Sequence, residues 1–421
     1  MEIQRCKGTH DLSPNEMSDF RLIEKAFAET CLQWGYREVR TPTIEYLHLF
    51  TSAGTLTPRM LGKVYSFLDW DGWSGERVVL RPDGTIPVAR MYVDSMKEKG
   101  LAKLFYVSNI FMFDETGREN RERWQFGAEL IGVGSPLADT ELISLSLAAL
   151  DHLNLKDIEV RLSHAGILKA LLKKLRLGSE EQAKIFEQIL DGDAQALSGV
   201  SSGIPDLDDT LLLLLNIKGK SPGFLKNLRA LSAQDLPEIK PALDDFIDTV
   251  EFIEALGCNY KIDIAAGAGF EYYTGIIFHL YSGGEKLGGG GRYDALVPAM
   301  GGDNIPASGF ALYFDSLVKM LEKGNPLAAT PPRILVRIKS KEENVLKYAF
   351  SVADHLRQAG YIAEINLGDQ ELSGFGWVLD VNEGPVLSLW DKVQPDKSEA
   401  RTIEEVLALL GERGADKDSL T

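Results

Sequence analysis

Four short segments carry more polar and glycine residues than a buried strand needs. They are Arg81-Pro-Asp-Gly-Thr-Ile-Pro-Val-Ala-Arg90, Gln125-Phe-Gly-Ala-Glu129, Phe270-Glu-Tyr-Tyr-Thr-Gly275 and Gly288-Gly-Gly-Gly-Arg-Tyr-Asp294. In the second, Gln125, Gly127 and Glu129 alternate, which puts all three on one face of a strand. An acid beside an amide suits a ligand amino group, and the same spacing equally describes a solvent-facing edge strand. The Tyr272–Tyr273 pair gives apolar faces with polar tips, fit for an aromatic or imidazole ligand or for ordinary core packing. Glycines 288 to 291 allow a ligand to approach the backbone, or mark a bulged strand. Taken together, these segments describe an amino-acid-sized polar pocket.

Other chemistries fail on spacing. Gly219-Lys220-Ser221 resembles the end of a phosphate-binding loop, but Leu214 stands where that loop requires glycine and Pro222 follows where its helix should continue. Gly267-Ala-Gly269 lacks the third glycine of a dinucleotide fingerprint, because Tyr272 occupies its place. The six histidines (His10, His48, His152, His164, His279 and His355) show no ligand spacing. Neither a metal nor a cofactor is expected, and no nucleophile elbow is visible.

The elements that must hold these segments read as follows. Ser13, Pro14 and Glu16 form a helix start with a capping box. Met17, Phe20, Ile23, Phe27 and Cys31 give that helix an apolar stripe ending at Gly35. Short strands are expected over Tyr36–Pro42, Lys63–Leu68 and Arg77–Leu80, the last two joined by the hairpin signal Asp71-Gly72. Further strands cover Lys103–Phe113 and Gln125–Gly132, and a helix covers Thr140–Leu153. Strand patterns return at Ile158–Leu162, Lys261–Ala265 and Tyr273–Tyr281, and a helix is expected over Gly309–Leu321. The pattern implies an α+β fold, an antiparallel sheet flanked by helices in two parts, residues 1–157 and 258–323. A mainly helical insertion occupies 158–257. After the linker Asn325-Pro-Leu-Ala-Ala-Thr-Pro-Pro332, residues 333–421 form a small α/β domain that opens with a βαβ unit.

The chain has 421 residues, 44% hydrophobic and 25% charged, which fits a globular protein of several domains rather than a disordered one. Its 45 Lys and Arg against 62 Asp and Glu give a net charge of −17, the opposite of what a general polyanion binder carries. Three scattered cysteines, Cys6, Cys31 and Cys258, form no CxxC pair, which fits a reducing cytoplasm. The N-terminus lacks the apolar core of a signal peptide, and no apolar run approaches the ~20 residues of a membrane span.

The motifs also occur in a known order. Lys7-Gly-Thr-His-Asp-Leu-Ser-Pro14, Gly35–Pro42, Leu80-Arg-Pro-Asp-Gly-Thr85, Phe105–Gly132, Tyr272-Tyr-Thr-Gly275 and Gly290-Gly-Arg-Tyr-Asp294 resemble the class II histidyl-tRNA synthetase family. The resemblance implies a class II aminoacyl-tRNA synthetase-like fold over residues 1–150 and 258–320. It extends more weakly to the insertion and to a degenerate anticodon-binding-like domain at the C-terminus. The family holds both true ligases and regulatory subunits of ATP phosphoribosyltransferase, which partner a short catalytic subunit in histidine biosynthesis.

The details favour the regulatory branch. Adenylate formation brings a carboxylate and a triphosphate into one site, and fixed cations must neutralise them. By resemblance, synthetases carry arginines where this chain has Met112, Ala268 and Ser316. The pocket for histidine resembles the family's: Asp83, Gln125 and Glu129 would hold the α-amino group, with Tyr273 and Tyr293 facing the imidazole and Thr85 nearby. Asp83 stands where synthetases have glutamate. Met112 departs from both branches, leaving Arg118, Arg121 and Arg123 as the nearest substitutes for a carboxylate partner. Residues 333–421 hold 11 Lys and Arg against 16 Asp and Glu, a net of −5, which argues against a tRNA grip. The resemblance thus implies no ligase activity. It implies a homodimer formed through the first helix and the strand ending at Pro42, inside a larger hetero-oligomer with the catalytic subunit, and histidine as regulatory ligand. The alternatives are an atypical histidyl-tRNA synthetase and a free-standing paralogue binding an amino acid.

Overall fold

A computed structural model describes residues 4–52, 61–70, 75–96, 100–113, 120–174, 178, 218–232, 237–264, 272–324, 333–368, 374–384, 386–391 and 396–418. The chain divides into two compact units, Met1–Asn325 and Pro326–Thr421.

The first helix spans Pro14–Gln33 and begins as its sequence dictates. The Ser13 side chain accepts from the Glu16 N–H, and the Glu16 carboxylate accepts in turn from the Ser13 N–H at 2.8 Å. Gly35 follows its C-terminus at φ +80°, a left-handed turn that glycine tolerates best. Phe20, Ile23, Phe27 and Cys31 are all buried.

The strands of the first unit, in chain order, are β1 (Arg37–Glu38), β2 (Ile44–Tyr46), β3 (Ser66–Trp70), β4 (Gly75–Leu80), β5 (Ala102–Phe111) and β6 (Glu122–Ile131). They continue with β7 (Glu159–His164), β8 (Lys218–Gly219), β9 (Tyr260–Asp263), β10 (Ile276–Ser282), β11 (Glu285–Arg292) and β12 (Ala307–Tyr313). Nine of them form one sheet in the order β1-β5-β6-β12-β11-β10-β7-β9-β8. Its middle, from β5 to β7, is antiparallel and flanked by parallel pairs at β1–β5 and β7–β9, with β8 added antiparallel to β9 at the edge. β2, β4 and β3 make a separate small sheet whose strands β3 and β4 pair with Trp70 opposite Gly75. The turn with Asp71-Gly72 lies outside the described residues.

One face of the large sheet is an aromatic core. Phe27 packs edge-on against Phe105, Phe126 and Phe310, and Phe20 against Trp124 and Phe314, at centroid distances between 4.8 and 6.3 Å. Burying such rings supplies most of the driving force for this layer. The other face carries the candidate site.

Three sequence expectations change. The helix expected over Gly309–Leu321 is split: residues 307–313 form β12, and the helix runs Phe314–Gly324. The run Gly309-Phe-Ala-Leu-Tyr is apolar on both faces, and periodicity cannot separate a buried strand from a buried helix. The helix expected from Thr140 starts earlier, at Pro136, with Ser135 as its N-cap. The strand read within the insertion, now Glu159–His164, pairs with β10 and β9 as part of the main sheet. Around it lie helices Ala165–Lys174, Pro222–Ser232 and Lys240–Ala255, while residues 179–217 lie outside the described part.

The second unit holds β13 (Arg333–Ile338), β14 (Ile362–Ile365), β15 (Trp377–Val381), β16 (Leu387–Asp391) and β17 (Asp396–Ala400), ordered β14-β13-β15-β16-β17. Helix Glu343–Gln358 links β13 to β14 as a βαβ crossover, and β15 to β17 then run antiparallel. A core around Val336, Ala349, Val352, Leu379 and Leu389 holds this unit together.

Candidate functional site

The strand register lays the candidate residues out in rows on one face of the sheet. Leu104, Glu129, Gly309, Gly291 and Ile277 stand side by side across β5, β6, β12, β11 and β10. The next row on that face is Tyr106, Gly127, Ala311, Gly289 and His279, and the row after it begins Ser108, Gln125 and Tyr313. β6 lies between β5 and β12, so the solvent-facing edge-strand alternative for Gln125–Glu129 does not hold.

Glycine hollows this floor. A Cβ at Gly127 would run into the ring of Tyr106 directly opposite, and one at Gly309 into the Glu129 carboxylate. A Cβ at Gly291 would lie 2.8 Å from Tyr273 Cδ1. The missing side chains therefore make the space that larger neighbours occupy. β11 also carries an irregularity opposite Leu280 and Tyr281, so the glycine run is both hollow and bulged.

A small cavity opens here between Asp83, Thr85, Gln125, Tyr273, Tyr293 and Tyr313. Asp83 sits where β4 gives way to helix Thr85–Ser95, and its Oδ1 accepts from the Thr85 N–H at 2.6 Å. Gln125 Oε1 accepts from the Gly84 N–H at 3.0 Å, fixing the loop to the strand. Glu129 is fully buried: one oxygen accepts from the Tyr293 hydroxyl, and Oε1 has no hydrogen-bond partner among the described residues. Tyr272 packs edge-on against Tyr293 at 5.4 Å and tilted against Tyr273 at 5.0 Å.

The electrostatics of this cavity are unbalanced. Burial pushes Glu129 up to about 8, against the pull of the Tyr293, Thr85 and Tyr106 hydroxyls, and the nearby Asp83 adds to the rise. Burial likewise pushes Asp83 up to about 6, against its bonds to the Thr85 and Ile86 backbone. Among the described residues lining the cavity none is cationic.

Arg292, next to Tyr293, points to the opposite face and meets carboxylates there. Its guanidinium bonds both Asp139 oxygens, and its Nη1 donates to Asp245 at 3.1 Å. His164 Nδ1 accepts from the Gly166 N–H, so Nε2 faces Asp245 Oδ2 at 3.3 Å as donor. Burial opposes the Arg292 charge, but the two aspartates outweigh it and hold the guanidinium protonated.

The sequence-derived residues Asp83, Thr85, Gln125, Tyr273 and Tyr293 line one cavity, and Glu129 is bonded at its wall. Met112 lies at the end of β5, its N–H donating to the Arg121 carbonyl at 2.9 Å. Ser316 Oγ reaches Glu285 at 3.5 Å. Ala268 and Arg118 lie outside the described residues. Tyr106, Tyr313 and Gly309 also build the site and are not among the residues the sequence points to. A bulky residue opposite a glycine, Tyr106 against Gly127, is their only signal, and it needs the strand register to be seen.

The chain matches the family model for histidyl-tRNA synthetase over residues 8–317. It is 49% identical over 414 residues to a protein of Dehalococcoides mccartyi named ATP phosphoribosyltransferase regulatory subunit, covering 98% of this chain and all of that one. It is 33% identical over 377 residues to the histidine–tRNA ligase of Methanocaldococcus jannaschii, covering 88% and 87%. Among solved structures, one described as an ATP phosphoribosyltransferase regulatory subunit/histidyl-tRNA synthetase from Bacillus halodurans superposes with a TM-score of 0.76 at 24% identity, covering 91% of this chain and 99% of that one. A histidyl-tRNA synthetase from Nostoc gives 0.75 at 19% identity, covering 97% and 99%.

Proposed function

We propose that this chain, which belongs to the family of ATP phosphoribosyltransferase regulatory subunits with their histidyl-tRNA synthetase-like fold, binds histidine in the Asp83–Glu129 cavity and passes that signal to a short catalytic subunit. The observation that carries the reading is the pair of buried carboxylates with no cation beside them among the described residues. A buried acid without a partner is held toward its neutral form, and a cationic ligand restores its charge. Histidine supplies an ammonium group at one end and a ring with two nitrogens at the other.

The geometry divides these tasks. Gln125 and Glu129 are four residues apart on one strand, about 13 Å between Cα atoms at ~3.3 Å per residue. One ammonium group does not reach both when Gln125 is tied to Gly84 and Glu129 to Tyr293. Asp83 and Gln125 therefore take the amino group, and Glu129 with Tyr293 takes the imidazole. This moves Glu129 from the amino end, where the sequence motif put it, to the ring end. Tyr273 closes the pocket from β10's side.

The same site is poorly equipped for ligase chemistry. Met112 and Ser316 carry no charge where adenylate formation needs cations. The chain acts instead by binding: it joins the catalytic subunit, activates condensation of ATP with phosphoribosyl pyrophosphate, and conveys inhibition when histidine fills the cavity. Coupling of this kind is reciprocal, so catalytic-subunit binding and histidine binding change each other's affinity by one factor. Exposed Ile44, Tyr46, Phe67, Leu68 and Trp70 on the small sheet support a homodimer interface beside the first helix and the strand to Pro42.

The test mixes the purified chain with a short-form ATP phosphoribosyltransferase and follows product formation with and without histidine. Activation by the chain and its reversal by histidine are expected. Histidine-dependent exchange of pyrophosphate into ATP by the chain alone overturns the reading in favour of a ligase.

A further inference from the structure

The pocket's face also carries a cation that the two acids do not use. In the β10–β11 register Lys286 pairs with Tyr281, just past the irregularity opposite Leu280 and Tyr281. Tyr281 alternates with His279 and Ile277, the partners of Gly289 and Gly291, so Lys286 shares the hollowed face with those glycines. It stands one row beyond Gly289, about 7 Å along the strand, a span that an extended lysine side chain covers.

Among the described residues the ammonium group has no counter-ion. Lys286 is mostly buried, and burial alone pulls it down to about 8 with no acidic group offsetting the shift. Across Tyr281 the register places Glu159, which is ion-paired with Arg161, whose guanidinium lies over the Tyr281 ring at 3.8 Å. A second group at the same end is also unsatisfied. Ser108, directly opposite Gln125, has a buried hydroxyl with no hydrogen-bond partner among the described residues. Alternation along β5 then carries the same face from Ser108 through Ile110 to Met112.

The asymmetry of the cavity follows. Among the described residues the cavity's acids have no cation, and the row beyond Gly289 has a cation and a hydroxyl without an anion. A zwitterionic amino acid laid between them completes both. We propose that Lys286 is the counter-ion for the α-carboxylate of the amino acid held in this pocket, a task supplied from β11 because position 112 on β5 holds methionine. This rests on the reading that the cavity takes histidine. Of the neighbouring arginines, Arg121 lies over the Phe113 ring at 4.3 Å with its stem against Gly8 and its buried Nε without a partner among the described residues, and Arg123, whose charge acts on Tyr313, donates Nε to the Asn120 carbonyl at 3.3 Å.

Calorimetric titration of the full chain with L-histidine and with histamine tests this. Histamine keeps the ring and the amino group and lacks the carboxylate. The wild type is expected to favour histidine at least tenfold, Lys286→Met to lose about that factor for histidine alone, and Arg123→Gln to keep the preference. Unchanged histamine binding by Lys286→Met reports that the variant is folded and its pocket intact. Equal loss of both ligands in Lys286→Met, no loss of histidine, or a selective loss in Arg123→Gln instead, overturns the assignment. A wild type that binds both equally overturns it while leaving the pocket reading intact. A wild type that binds neither overturns the pocket reading and this assignment with it.

Discussion

Arg292 and Tyr293 are adjacent on the chain and face opposite sides of the sheet, and the charges on the two sides are handled in opposite ways. On the helix side, Arg292 is matched by Asp139 and Asp245, and Asp245 in turn by His164. On the hollowed side, among the described residues, Glu129 and Asp83 are buried without a cation and Lys286 without an anion. Burial is similar in both places. The difference is completeness: a matched cluster ties the sheet to helices Pro136–His152 and Lys240–Ala255, and an unmatched one has work left for a ligand. Buried charge by itself marks neither structure nor function; its unpaired remainder points to function.

The matched side gives the largest expected effect. Arg292→Met leaves two aspartates without their cation and should destabilise the chain by about 3–5 kcal/mol, read from the urea midpoint. A variant as stable as the wild type would break the contrast, because the cluster would then hold nothing together.

The unmatched side should show itself in the pH dependence of the ligand-free chain. Glu129 binds its proton more tightly folded than unfolded, so its contribution is full below its unfolded value near 4.5 and is lost as pH rises through about 8. That loss is on the order of 3 kcal/mol by pH 7. Asp83 adds a loss of the same sign between about 4 and 6. Glu129→Gln should flatten the decline above pH 6 in denaturation curves taken from pH 5 to 8. A wild-type curve that is already flat there would mean the acid is not isolated.

The smallest effect belongs to Lys286. Its ammonium is easier to deprotonate folded than unfolded, so at pH 7 it opposes folding, and that opposition fades as pH rises from about 8 to 10.5. Lys286→Met should raise stability at pH 7 by roughly 1 kcal/mol after allowance for solvent screening. A variant less stable than the wild type would show that the lysine has a structural partner.

Much of this was legible in one dimension. Ser13, Pro14 and Glu16 fix a helix start by contacts within four residues, and the stripe from Phe20 to Cys31 needs only helical periodicity. Asp83, Gln125, Glu129, Tyr273 and Tyr293 were each found as polar or aromatic residues in segments with no need of them. The strand Ala307–Tyr313 was misread because a run buried on both faces has no polar residue to reveal its period. Tyr106 and Gly309 were invisible because each matters only through the residue opposite it.

The sequence by itself determined the local elements, the order of motifs and the uncharged residues at positions 112 and 316, since these depend on residue type and short spacing. Only the tertiary structure decided which charges are matched. Arg292 and Asp139 are 153 residues apart and bonded, while Glu129 and Lys286 share a face of the sheet and, among the described residues, neither is ion-paired. Pairing depends on strand register and on which face a side chain leaves, and a one-residue shift would exchange the two faces.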